Sequence, residues 1–130
     1  MAAEPTWIEE ADILAVHDRL LVAHGGAAGV RDQGLLQSAL ARAKQLAAYG
    51  DTADMIDLAC AYTAGIVENH PFVDGNKRTG FVAGVMFLEL NGCRFTAPED
   101  AAAEAVLGLA AGTLDEAKYR AFLRENVVSE

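Results

Sequence analysis

Residues 75 to 90 join two opposites. Gly75-Asn76-Lys77-Arg78-Thr79 is the most polar helix start in the chain. It runs directly into Phe81, Val82, Val85, Met86, Phe87, Leu88 and Leu90, which are apolar nearly all round. A helix that is apolar on every side belongs in the middle of a packed bundle. Its first turn must then emerge at the surface with free amides and two cations exposed. The expectation is an all-α bundle around a central buried helix whose N-terminus opens to solvent.

The rest of the chain is consistent with helix. It has only three prolines and is rich in alanine, both of which favour helix. Ile13, Val16 and Leu20 follow helical intervals, as do Met55, Leu58, Tyr62 and Ile66, and Tyr119, Phe122 and Leu123 mark a last helix. No segment alternates apolar and polar residues for long, so no substantial sheet is expected. Six helices follow, at about 7–23, 33–47, 53–69, 75–91, 98–110 and 114–126. Thr6 with Glu9, Thr96 with Glu99 and Thr113 with Glu116 match the Thr-x-x-Glu capping box, and Asp32 precedes Gln33 as a cap. Glycines 25, 26, 29, 50, 92 and 112 punctuate the ends.

The 130 residues suit a single domain spanning 1–130. Ten Lys and Arg against nineteen Asp and Glu leave a formal charge of -9, which speaks against direct nucleic-acid or anionic-membrane binding. A local basic cluster can still hold a phosphate. The start of the chain lacks the basic and apolar regions of a secretory leader, and no apolar run approaches the roughly 20 residues that span a bilayer. Cys60 and Cys93 form no C-x-x-C pair and read as reduced, inert core. A cytoplasmic location is the expectation.

The chemistry concentrates in His70-Pro71-Phe72-Val73-Asp74-Gly75-Asn76-Lys77-Arg78-Thr79-Gly80. The first amides of a helix lack internal partners, and the helix dipole adds partial positive charge there, so the turn is an anion site. Gly75 lets a phosphate approach the backbone, and Lys77 and Arg78 add full charges. Asp74 offers an oxygen to Mg²⁺, which commonly takes one or two carboxylates with phosphate oxygens and water. Histidine titrates near neutrality, which suits His70 as a base. Pro71 stops the preceding helix and biases His70 out of it. Phe72 is the expected apolar anchor of the loop. Thr79 has two readings, a phosphate contact or a cap, and Asn76 can orient the loop without touching ligand. No Gly-Lys-Ser/Thr follows at Walker spacing and no strand precedes the segment.

This stretch resembles the Fic/Doc superfamily signature, His-x-Phe-x-Asp/Glu-Gly-Asn-x-Arg. Ordinary Fic enzymes, which transfer AMP to protein hydroxyls, carry Gly where Lys77 stands and a second Arg where Phe81 stands. The ending Gly-Asn-Lys-Arg-Thr resembles the death-on-curing branch of Phd/Doc toxin–antitoxin systems. The segment Gly29 to Arg42 is similar to that family's N-terminal part. The resemblance implies a Fic/Doc-type bundle and a protein kinase that binds ATP reversed relative to Fic enzymes. His70 would be the base and Asp74 the Mg²⁺ ligand, with phosphate held by the Gly75 backbone, Asn76, Lys77, Arg78 and Thr79. It implies a threonine of elongation factor Tu as target, arrest of protein synthesis, and neutralisation by a Phd-like antitoxin. The self-inhibitory Ser/Thr-x-x-x-Glu-Gly/Asn helix of many Fic proteins is not found. Two alternatives remain at this point: AMP transfer, and a non-catalytic module that binds a nucleotide or an antitoxin.

Outside the motif, Arg31 and Asp32 read first as a local ion pair and a cap, and second as ligand or partner contacts. His17 and His24 lack neighbouring metal ligands and read as surface or packing residues.

Overall fold

The computed structural model describes residues 4–50 and 53–130. Met1 to Ala3, at the start of the chain on which the leader expectation rests, lie outside the described residues. Among the described residues there are six helices: α1 (Glu10–His24), α2 (Gln33–Tyr49), α3 (Met55–Asn69), α4 (Asn76–Leu90), α5 (Glu99–Ala111) and α6 (Glu116–Glu125). Two three-residue strands, β1 (Cys93–Phe95) and β2 (Val127–Ser129), pair antiparallel with Cys93 opposite Ser129 and tie the chain end to the exit of α4. No described helix is long and apolar enough to cross a membrane.

The central helix is α3, not α4. Nine consecutive residues of α3, Leu58 to Ile66, are buried, and α2, α4, α5 and α6 all pack against it. On α4 the fully covered side is Asn76, Thr79, Gly80, Ala83, Gly84, Phe87 and Leu88, while Leu90 is 51% exposed. The reason is side-chain size. Ala59, Cys60, Ala61, Thr63, Ala64 and Gly65 give α3 a thin profile, so neighbours close on it from every side. A Cβ placed on Gly84 would meet the Ala59 carbonyl oxygen at 3.0 Å and also press on the Thr63 hydroxyl. One placed on Gly80 would lie 3.1 Å from the Thr63 carbonyl oxygen. Thr63 Oγ1 donates to the Gly80 carbonyl at 2.8 Å and closes that seam. Hydrophobic bulk along α4 therefore marks a helix that leans on the centre rather than forming it.

None of the three expected Thr capping boxes forms, because each Thr is held by other structure. The Thr6 amide donates to Asn91 Oδ1 and the Asn91 amide returns to the Thr6 carbonyl, so this segment is an extended strap ahead of α1. Thr96 amide and hydroxyl both donate to the Asn126 carbonyl, and the Thr113 hydroxyl donates to Gly108. Carboxylates cap instead. Asp12 accepts from the Glu9 amide, Asp54 and Asp57 cap reciprocally, and Asp115 accepts from Lys118. Each such cap contributes about 1 kcal/mol. Asp32 caps α2 as expected, accepting from the Leu35 amide at 2.9 Å.

An ionic flank joins α2, α3 and α6. Arg42 reaches Glu68 at 3.4 Å and Glu116 at 2.5 Å, Arg120 reaches Asp57, and Arg124 reaches both Asp54 and Asp57. Burial and then the neighbouring Glu116 push the Glu68 carboxyl above its ordinary range. Burial acts the same way on Glu116, but Arg42 outweighs it and holds that carboxyl low. Cys60 lies beneath this flank, and burial, then Glu116, raises its thiol to about 11. That is an inert thiol, as its apolar sequence neighbours suggest.

Candidate active site

The turn between α3 and α4 is built by backbone conformation first. His70 caps the end of α3 at φ 54, ψ 52 and is the only described non-glycine residue with positive φ. A left-handed conformation costs a residue with a Cβ roughly 1–2 kcal/mol, so something must hold it there. Arg31 does so from the preceding loop. Its Nε donates to the His70 carbonyl at 2.8 Å and its Nη2 to the Asn69 carbonyl at 3.0 Å, which also places a cation on the negative end of α3. The expected Arg31 ion pair is thus replaced by bonds to carbonyls. Segment 29–32 lies along segment 71–73: Arg31 and Asp32 amides donate to the Pro71 carbonyl, and the Val73 amide donates to Gly29. Phe72 is fully buried, as its anchoring role requires.

Asn76 orients the imidazole. Its Oδ1 accepts from the Phe72 amide at 2.9 Å, and its Nδ2 donates to the Phe72 carbonyl at 3.0 Å. Those two backbone groups settle which end of the amide is which. Nδ2 is therefore the atom 2.8 Å from His70 Nδ1, and Nδ1 is the acceptor. The neutral ring then carries its proton on Nε2. Asn76 is 5% exposed, so its side chain faces the loop and His70, and only its backbone is left for a ligand.

Gly75, at φ 80 and ψ 18, caps α4 in a region that glycine enters without strain. The Thr79 amide returns to the Gly75 carbonyl at 2.9 Å. The amides of Asn76, Lys77 and Arg78, one turn earlier, have no partner within the helix. Lys77 and Arg78 are exposed and form no ion pair among the described residues. Asp74 is exposed too, and its carboxylate is steadied by the amides of Gly75 (2.8 Å) and Ala27 (3.3 Å). Thr79 stands apart. It is fully buried and its hydroxyl has no described partner, so it faces the interior and not the exposed turn.

The structure thus gathers His70, Asp74, Gly75, Lys77 and Arg78 at one exposed turn, with Asn76 beneath them. Two supports were not visible in the motif: Arg31, and His17, which lies under Phe72 and Asp74. Only one signal marked His17, its position four residues after Ile13 on the buried stripe of α1.

An imidazole held by the first residue of α4, free helix amides, two cations without an ion pair among the described residues and a backbone-steadied carboxylate suit transfer at a phosphate. The family model described as "Fic/DOC family" matches residues 7–88. The protein kinase doc of Escherichia phage P1 is 29% identical over 118 residues, covering 90% of this chain and 92% of its own length. The toxin Doc of Mycolicibacterium smegmatis is 38% identical over 96 residues, 72% of this chain and 71% of that protein. The chain belongs to the Fic/DOC family.

Proposed function

We propose that this protein is a Doc-like toxin that transfers the γ-phosphoryl group of ATP to a protein hydroxyl. The observation that carries the reading is His70, tied through Asn76 to a cationic helix start bearing Lys77 and Arg78, in a chain of net charge -9. The names of the phage and mycobacterial relatives support kinase and toxin. We propose elongation factor Tu as the target and a Phd-like antitoxin as the neutralising partner, in the cytoplasm, by the same resemblance.

The residues fit Mg²⁺. Asp74 is exposed and held in one orientation, and a single carboxylate completed by phosphate oxygens and water is an ordinary donor set for that ion. The ion would neutralise phosphate charge as the leaving group departs. The α4 amides, Lys77 and Arg78 bind the phosphates and stabilise the same charge. The acceptor oxygen attacks the γ-phosphorus, the bond from that phosphorus to the bridging oxygen breaks, the hydroxyl proton passes to His70, and ADP leaves. Nε2 is the ring nitrogen not engaged by Asn76. It accepts that proton once the ring hydrogen has moved to Nδ1, which leaves one buried Asn76 N–H without its acceptor at a cost of about 1–3 kcal/mol.

The test is intact-mass analysis of purified elongation factor Tu after incubation with the protein, Mg²⁺ and ATP. A gain of about 80 Da that His70→Ala abolishes is the expected result. A gain of about 329 Da would mean AMP transfer and would overturn the phosphate assignment.

A further inference from the structure

His17 belongs to α1, far from the motif in sequence, yet it touches Phe72 and Asp74 and lies beside Gly75. Its ring is 3% exposed and stacks on Phe72, with centroids 3.9 Å apart and planes 10° from parallel. Its Nε2 is 2.8 Å from the Asp74 carbonyl oxygen. A carbonyl only accepts, so Nε2 carries the proton and donates. A Cβ on Gly75 would lie 3.7 Å from His17 Cδ2 and Nε2, so the same ring edge runs beneath Gly75. Packing alone explains the stack on Phe72. It does not explain a charge-capable ring whose one directed bond ends on the peptide between Asp74 and Gly75.

We infer that His17 is a positioning residue for the phosphate- and Mg²⁺-binding half of the site. The bond fixes the Asp74–Gly75 peptide. That peptide sets both the aim of the Asp74 carboxylate, anchored to the Gly75 amide, and the left-handed turn that presents the α4 amides. His70 is secured separately, by Arg31 and Asn76. The site therefore has two supports, one centred on the base and one on the anion cradle, which meet at Phe72 and Asn76. The kinetic part of this inference rests on the phosphoryl-transfer reading. The structural part does not.

Two variants of the full chain separate the bond from the stack. His17→Phe keeps a ring against Phe72 and removes the donor. His17→Gln keeps a donor at similar reach and removes the ring. In His17→Phe the KM for Mg·ATP should rise about tenfold or more, the size seen when a support behind a metal-ligating group is lost. The kcat should fall as well, because the cradle also stabilises charge in the transition state, and rescue by His17→Gln is what separates the bond from plain packing. His17→Gln should recover most of the lost KM. An unchanged KM in His17→Phe, or equal losses in both variants, would overturn the inference in favour of plain packing.

A second readout needs no turnover. Long-range ¹H–¹⁵N spectra of the wild-type chain should show His17 protonated at Nε2. The backbone amide resonances of Gly75, Asn76 and Lys77 should move in His17→Phe and return in His17→Gln. The opposite tautomer, or resonances indifferent to the donor, would refute the positioning role. If the spectra behave as expected but the wild type transfers no phosphate, the proposed function fails and the role of His17 stands.

Discussion

Two basic regions of this molecule meet opposite fates. On the flank of α2, α3 and α6, Arg42, Arg120 and Arg124 are each matched to carboxylates from a neighbouring helix. At the start of α4, Lys77 and Arg78 have no such match among the described residues. Acidic side chains outnumber basic ones nineteen to ten, so partners are not scarce. The difference teaches what each set of cations is for. The flank spends its charge on fixing α6 to α3. The α4 turn keeps its charge unpaired, on a helix end whose dipole has the same sign, and that combination suits an incoming anion.

The largest effect that contrast forecasts is catalytic. Replacing Lys77 or Arg78 with Ala should lower kcat/KM for ATP by about a hundredfold or more and leave the melting temperature nearly unchanged. Arg78→Lys should not restore it, because a lysine offers no forked pair of donors. A melting temperature that drops with the activity would mean these cations stabilise the fold as the flank does, and the contrast would collapse.

Next in size is a test of the seam beneath the site. Gly84→Ala places a methyl against Ala59 and the Thr63 hydroxyl, and overpacking of this kind typically costs 1–3 kcal/mol. Thermal unfolding should register the full loss. If transfer by the folded fraction persists, the centre supports the site without tuning it.

The smallest effect falls on the flank. Burial raises the Asp54 carboxyl, but the Arg124 hydrogen bond, then the Asp57 amide, outweigh it and hold Asp54 below its ordinary value. A carboxyl depressed on folding contributes stability above its unfolded pKa, and that contribution is lost as pH falls through the folded value. Arg124→Ala should therefore cost a few tenths of a kcal/mol at neutral pH, since both partners are half exposed. The gap between variant and wild type should close below about pH 4. Denaturant melts at several pH values would show it, and a gap that widens in acid would contradict the assignment.

Much of this was legible along the chain, for particular reasons. The six helices follow from apolar spacing, and their ends from Pro71 and from glycines 25, 50 and 112, which cap helices in the structure. The motif residues are contiguous, so their convergence at one turn needed no knowledge of the fold. What stayed hidden depends on contacts between distant residues. The inward turn of Asn76 is set by both backbone groups of Phe72, and the seat of His70 by Arg31. Thr6, Thr96 and Thr113 looked like caps because the local pattern does not show that other residues claim them. The place of α3 at the centre was masked because smallness, not hydrophobic bulk, put it there.

The pairing of segment 29–32 with segment 71–73 bears on what the motif is. As a string, the eleven residues from His70 to Gly80 are complete. As an object they are not. The seat of His70, the second anchor of Asp74 and the bar beneath Gly75 come from Arg31, Ala27 and His17, all within the first thirty-one residues. A fragment beginning at α2 would contain the whole signature and none of these supports. A gene shortened at its 5′ end could thus keep every recognisable letter of the site while encoding a chain unable to assemble it.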